Sequence, residues 1–353
     1  MASDSPLVLV SGGLGWLGRR LVESVLLGLP DHEALRTPRA DTRVRVLALP
    51  GQDPAPFAGF ADRVTVVEGD VRSAADCARF VAGAKGSVLF HTAGIIHPRR
   101  VSEFYAVNLR GTENLLDAAI GAGVRRAVVV SSNSPFGCNA DPRKPFDESA
   151  PYRPYMNYGR SKMKMELAVR ARQQAGAIET VLIRTPWFYG TQQPPRQTLF
   201  FAMIRDGKAP IVGGGANLRS MSYLDNLCQG LLLAARTEAA AGQAYWIADR
   251  RPYSMNEIVD TIERLLEKEF GQHCAHRRLR LPGIASDIAR AADAALQSVG
   301  LYNQKIHVLS EMNQTIACSV GRAERELGYR PAVELEEGMR RSLRWCADNG
   351  VVF

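Results

Sequence analysis

No stretch of this chain approaches the roughly 18 consecutive apolar residues that a membrane span requires, so none is expected. The opening segment, Met1 to Pro6, lacks a basic run leading into an apolar one, so a secretory leader is not expected and a soluble cytoplasmic protein is. There is no Cys-x-x-Cys pair. The six cysteines (Cys77, Cys138, Cys228, Cys274, Cys318, Cys346) are dispersed, as suits reduced thiols in a cytoplasm. His273-Cys274-Ala275-His276 offers metal ligands without companions, whereas a closed zinc site takes four, so a polar loop and no metal are expected. Periodic glycine, low-complexity segments and internal repeats are all missing. So is a basic block: the formal charge of +8 comes from scattered arginines such as Arg19, Arg20, Arg99, Arg100, Arg125 and Arg126. With no nucleic-acid motif, that charge suits an anionic small substrate or a solvated surface.

What the chain does have is alternation. At 353 residues it exceeds what one core usually serves, so a large domain and a smaller one are expected. Short apolar strands are read at Leu7–Val10, Val44–Leu49, Val64–Val67, Val88–His91, Ala127–Val130 and Thr180–Arg184. Helices are read between them, at Leu17–Leu27, Asn108–Ala119 and around Tyr158. Near-continuous apolar strands separated by helices imply an α/β fold with a parallel sheet covered on both faces. The polar connection Gly28–Thr42 exceeds the usual two to six residues and reads as an insertion. Past Arg184, prolines and Gly213-Gly214-Gly215 mark loops, before helices resume at Asn226–Ala235 and Asn256–Phe270. Ile284, Ile288, Ala292, Leu296 and Val299 share one helical face. Such a stripe could cover an apolar substrate or touch a membrane, but core packing is the expectation.

Three local patterns carry chemistry. Gly12-Gly13-Leu14-Gly15-Trp16-Leu17-Gly18 follows a strand and opens a helix, where small residues let backbone N–H groups approach a pyrophosphate. The blander alternative is a tight turn. Tyr158 and Lys162 lie four apart, on one face of a helix, where an ammonium would pull the phenol below its usual pKa near 10 and make a general base. The blander alternative is a half-buried tyrosine beside a solvated lysine. Ser131 and Ser132 close an apolar run. Together these point to redox chemistry on an alcohol or ketone.

The Gly-x-x-Gly-x-x-Gly spacing resembles the extended short-chain dehydrogenase/reductase superfamily, also called the NAD-dependent epimerase/dehydratase family. So, in order, do Gly69-Asp70-Val71, Phe90-His91-Thr92-Ala93-Gly94, the stretch Asn108 to Leu116, Ser131 to Gly137, and the tail Glu326 to Gly338. The resemblance spans nearly the whole chain. It implies a Rossmann-type doubly wound sheet, residues 5–185 plus 222–250, and a smaller C-terminal substrate-binding domain, residues 186–221 plus 251–349. It implies cofactor contacts at Gly12, Gly15, Trp16, Leu17, Gly18, Asp70, Val71, Thr92, Ala93, Gly94, Asn108, Ser131, Tyr158 and Lys162. Tyr158 becomes the acid/base, Lys162 its partner and the holder of the nicotinamide ribose, and Ser132 the hydroxyl that polarises the substrate oxygen. A homodimer is implied as well.

Departures narrow the reading. The second strand ends Leu47-Ala48-Leu49-Pro50-Gly51, without the acid that selects NAD or the arginine that suits NADP, so NAD rests on the resemblance and NADP is not excluded. The superfamily's dehydratases carry an Asp-Glu pair after the catalytic hydroxyl. Asn133 and Ser134 stand there instead, which disfavours dehydration by that route. Asn133, Trp187 and Arg219 join Ser132 as substrate contacts. Arg219 resembles a diphosphate-gripping arginine and favours a nucleotide sugar processed as in a 4-epimerase. Trp187, within Arg184-Thr-Pro186-Trp187-Phe-Tyr189-Gly190, is closer to 3β-hydroxysteroid dehydrogenases and dihydroflavonol reductases, whose substrates are apolar. A cofactor-sensing protein without catalysis is a further alternative, although such proteins often lose the tyrosine or lysine present here.

Overall fold

The computed structural model describes residues 6–352, so Met1–Ser5, on which the reading of the N-terminus rests, lie outside it. Seven parallel strands form the central sheet: β1 (Leu7–Ser11), β2 (Arg43–Ala48), β3 (Val64–Glu68), β4 (Val88–His91), β5 (Arg126–Ser132), β6 (Glu179–Thr185) and β7 (Ala244–Trp246). Their order is β7-β6-β5-β4-β1-β2-β3, with β1 paired to both β2 and β4. The chain therefore winds outward from β1 in both directions, and the fold is the doubly wound Rossmann type. Strand β7 is missed by the sequence reading, because three buried residues against the sheet edge give no periodicity to detect.

Alternate strand residues feed opposite faces: Val10 enters one core and Leu9 the other. The first core is covered by α1 (Trp16–Leu27), and the second by α2 (Ala74–Val81). After α3 (Val101–Phe104) comes one π-helical stretch, Tyr105–Gly111, and then α4 (Thr112–Gly121) and α5 (Met156–Gln174) on the second face. A third core lies off the sheet. It joins α6 (Pro195–Arg205), α8 (Met255–Lys268) and α12 (Leu335–Asp348) through Phe201, Ile258, Ile262 and Leu343. Between α6 and α8, α7 (Leu224–Arg236) returns to the first face, as does α11 (Gly321–Leu327) later.

The Gly28–Thr42 connection is packed rather than loose: Leu29 and Leu35 are buried, and Asp31 pairs with Arg341 on α12 at 2.5 Å.

One expectation is overturned. Helix α9 (Ile284–Ser298) carries the apolar stripe expected to be core, yet Ile284, Ile288 and Val299 are 63%, 64% and 72% exposed. The buried positions are Ser286, Ala289, Asp293 and Gln297. Hydrogen bonds decide the orientation: Asp293 accepts from His307 Nδ1 (2.7 Å) on α10 (Gln304–Glu311), and Gln297 Oε1 accepts from Asn157 N (3.0 Å) on α5.

Candidate active site

Strand order reverses between β1 and β4, and ligands of such sheets bind outside the C-terminal strand ends at that point. Gly12 adopts φ +72° and its carbonyl accepts from Gly15 N at 2.9 Å. Gly15 then caps α1 without a side chain, and the first turn holds no acid. Its leading N–H groups, Trp16, Leu17 and Gly18 among them, have no carbonyl one turn earlier, so the turn is a cradle for an anion. A Cβ at Gly18 would sit 2.1 Å from Gly12 O, so the cradle closes only around glycine. The Leu17 side chain is core, while Trp16 donates to Thr191 O (2.7 Å) and packs on Phe188, tying the turn to the chain beyond β6. These residues fit a dinucleotide pyrophosphate through their backbone.

Thr92 donates to Ser11 O at 2.7 Å and holds the β4 exit against β1, with Ala93 backbone directly on Gly12 and Gly94 facing Asn108 Oδ1. Beneath them His91 bridges Ser11 Oγ (2.7 Å) and Thr112 Oγ1 (2.8 Å). The Thr112 hydroxyl gives its proton to Asn108 O, so His91 Nε2 must donate and Nδ1 must accept. Burial, then the charge of Lys162, push this imidazole down to about 3, and it stays neutral. At the β3 exit Asp70 takes Arg72 (2.6 Å), which holds its carboxyl below the usual range, and Val71 is buried against Gly111. Arg45 is occupied by the carbonyls of Phe80 and Ala82, and Asp53 by Ala55 N, so neither serves the β2 exit.

Two of the expected cofactor contacts have side chains that bond within the protein. The Asn108 amide is fully engaged, accepting from Ile95 N (2.9 Å) and donating to Ile95 O (3.0 Å) and Ser161 Oγ (3.2 Å). It clamps the Gly94–Ile95 turn to the Tyr158 helix. Ser131 Oγ donates to Glu166 Oε1 (2.6 Å), inside a buried network of Glu166 with Arg184 (2.8 Å) and Tyr152 (2.7 Å). That network fastens α5 to β5 and β6.

Tyr158 and Lys162 lie on α5, which packs on the end of β5 where Ser132 stands. Gly159 lets α5 lie directly on the β5 exit, since a Cβ there would be 2.4 Å from Ser134 O. Met156 opens the helix at φ +49°, a left-handed conformation for a side-chain-bearing residue. Burial pushes the Tyr158 phenol up to about 12; a hydrogen bond with Ser132 opposes this and the Glu311 carboxylate adds to it. The expected lowering by Lys162 is not found, because its ammonium turns to Val130 O (2.7 Å). Burial depresses Lys162 itself to about 8, with Glu166 resisting. Ser132 Oγ also receives Ser134 N (3.2 Å) and reaches Asn133 Oδ1 (3.4 Å), which places Asn133 at the same edge.

The opposite wall comes from α9 and α10, and motif reading missed it. His307 stacks near Tyr155 and Tyr302, and Tyr302 meets His97 Nδ1 at 2.9 Å and the edge of Phe104, itself 5.6 Å from the Tyr158 ring. Burial opposes charge on His307, but Asp293 and Glu311 outweigh it and raise its pKa. Thus a carboxylate does face the site, from Glu311 rather than from positions 133 and 134. His307 and Glu311 at a four-residue spacing on one helix are the only sequence signal that could have found it. Arg219 donates to the Glu311 backbone carbonyl (2.5 Å), and so closes the C-terminal end of α10. Trp187 stands two residues beyond β6, half-buried against Phe200.

A sequence model described as "NAD dependent epimerase/dehydratase family" matches residues 8–248. The uncharacterized y4nL protein of Sinorhizobium fredii is 50% identical over 99% of this chain and 98% of its own length. A 3-beta-hydroxysteroid dehydrogenase of Mycolicibacterium neoaurum is 30% identical over 99% of this chain and 93% of its own. Among solved structures, DesIV, a dTDP-glucose 4,6-dehydratase from Streptomyces venezuelae with NAD and TYD bound, superposes with a TM-score of 0.74. It is 27% identical and the match covers 97% of both chains.

Proposed function

The chain belongs to the NAD dependent epimerase/dehydratase family, whose members are enzymes that use NAD, and on that premise we propose that Tyr158, Ser132 and Lys162 carry out hydride-transfer chemistry at a secondary alcohol or its ketone. The observation that carries this reading is the seating of the Tyr158 helix on the β5 exit, with Gly159 directly on Ser134 O and Ser132 ending the strand, two strands from the glycine cradle. The bound cofactor would receive the hydride as NAD in oxidation and supply it as NADH in reduction. Ser132 orients the substrate oxygen. In reduction the protonated Tyr158 phenol gives that oxygen its proton, and in oxidation the phenolate form takes it back. Lys162, whose ammonium is held on Val130 O, would favour that phenolate on turning from this carbonyl toward the phenol. Residues 5–185 plus 222–250 form the cofactor half and 186–221 plus 251–349 the substrate half.

For the substrate, the geometry favours an apolar or amphiphilic ring alcohol. The wall around Tyr158 is built from Phe104, Tyr302 and Tyr155, and Arg219 is engaged at α10 beside the Glu311 carboxylate, a poor place for a diphosphate. The second reading, a nucleotide sugar, rests on the Arg219 donors that α10 leaves unused and on the likeness to DesIV. A panel of 3β-hydroxysteroids followed by NADH absorbance, and of UDP- or dTDP-sugars followed by chromatographic separation of the epimers, since epimerisation returns the hydride and leaves no net NADH, separates the two. With whichever substrate turns over, Tyr158→Phe should keep NAD affinity and lose roughly 10²-fold or more in turnover. Full activity in that variant defeats the assignment.

A further inference from the structure

Helices α9 and α10 form a hairpin with its polarity reversed. The inner face holds Asp293, Gln297, His307 and Ser310, hydrogen-bonded to one another, to Asn157 and to Tyr155. The outer face shows Ile284, Ile288, Ala292 and Val299, continued by exposed Leu301 and Val308. Rolling α9 to bury its isoleucines would strand Asp293 and Gln297, so the inner hydrogen bonds lock the apolar stripe outward. The stripe runs about 22 Å along the helix at the α-helical rise. Amphipathic helices of globular proteins face the other way, and apolar patches of this extent mark sites of association.

The surroundings decide which kind. Arg277 and Arg280 precede α9, Lys305 begins α10, and Arg99 and Arg100 lie beside Leu301 through the Arg100–Leu301 bridge and the Val101 N to Gly300 O bond. All five side chains are exposed, and none forms an ion pair with a described residue, Glu103 being engaged by the Arg99 and Arg100 backbone N–H groups. The stripe's own carboxylate, Asp287, is already paired with Arg290 at 3.0 Å. An apolar face with a cationic border is complementary to anionic lipid headgroups over acyl chains. A two-fold contact with a second copy would instead confront these cations with their own equivalents.

We infer that the outer face of the α9–α10 hairpin docks on an anionic bilayer surface. The inner face of the same hairpin walls the Tyr158 site, and Tyr302 and His97 join it next to Leu301. Docking therefore brings the cleft beside the membrane, the source from which an amphiphilic alcohol would be drawn; this last step rests on the substrate reading above, whereas docking does not.

The test is co-sedimentation of the full chain with phosphatidylcholine vesicles and with phosphatidylcholine–phosphatidylglycerol vesicles. The mixed vesicles should bind the protein and the neutral ones should bind it at least about ten-fold less, with added salt closing the gap. The double substitution Ile284→Asp/Ile288→Asp should abolish binding while NAD affinity and Tm hold, since both side chains are exposed. Arg99→Glu/Arg280→Glu should remove the preference for the anionic vesicles. Failure of the wild-type chain to sediment, equal sedimentation of the aspartate variant, or self-association in sedimentation velocity that the aspartates abolish would each overturn the inference. Vesicle binding without turnover of any lipid-soluble alcohol would defeat the substrate reading alone.

Discussion

Consider removing one member of the buried Arg184–Glu166 pair. Both side chains are essentially inaccessible, with contacts of 2.8 and 3.3 Å, and the guanidinium lies 4.2 Å above the Phe136 ring. Arg184→Met fills similar space but leaves the Glu166 carboxylate with only the Ser131 and Tyr152 hydroxyls. Stranding one charge of a buried pair costs about 3–5 kcal/mol. At roughly 2 °C per kcal/mol for a chain of this size, Tm should fall by about 6–10 °C. Glu166→Leu should cost at least as much, because it orphans Arg184 and two hydroxyls together. The double variant removes both charges and leaves only the hydroxyls unsatisfied, about 1–3 kcal/mol. It should be more stable than either single variant, giving a coupling of about 2 kcal/mol or more in a double-mutant cycle. Thermal and urea unfolding of the four proteins provide the measurement. Additive losses, or a single substitution costing under about 1 kcal/mol, would refute the view that this pair is tightly coupled.

Gly159→Ala must displace its 2.4 Å contact with Ser134 O by about 1 Å, which shifts Tyr158 against Ser132; turnover should drop about 10²-fold with NAD affinity retained, and unchanged turnover would contradict this. Gly18→Ala forces the cradle open from a 2.1 Å contact and should weaken NAD binding by at least about ten-fold in calorimetry, without unfolding the protein. His307 has a folded pKa raised above its ordinary 6.5, so its stabilisation is full below that value and is lost as pH rises through the folded pKa. Hydrogen exchange in α9 and α10 should therefore quicken toward alkaline pH, beyond the intrinsic base catalysis of exchange. His307→Gln should remove that excess, and an excess surviving in the variant would place the pH sensitivity elsewhere.

The sheet was legible in the sequence because a strand buried on both faces is an uninterrupted apolar run: Val88–His91 is read to its ends and Leu7–Ser11 to within a residue. The glycine turn, Ser132, Tyr158 and Lys162 were legible because their spacing is itself the geometry. Helix α9 was not, since periodicity shows that a helix has two faces but not which one is buried, and here hydrogen bonds to α5 and α10 outweigh the apolar stripe. The partners of Asn108 and Ser131 were not legible, because Ile95 and Glu166 are 13 and 35 residues away. Asp293, His307 and Glu311 converge only once α9 and α10 fold back over α5, which no local pattern encodes.

The π-helical stretch Tyr105–Gly111 works as a phase adjuster. Upstream of it, Phe104 must face the Tyr158 ring; downstream, Leu115 and Leu116 must face the second core; and between them Asn108 must reach Ile95 and Ser161. A plain α-helix turns about 100° per residue and has no freedom to set these three directions independently. The widened turn takes up the mismatch. Loss of one residue here would rotate Phe104 by about that angle relative to α4, detaching the aromatic wall from the helix that holds the cofactor-side turn even though every side chain of the site remained in the chain.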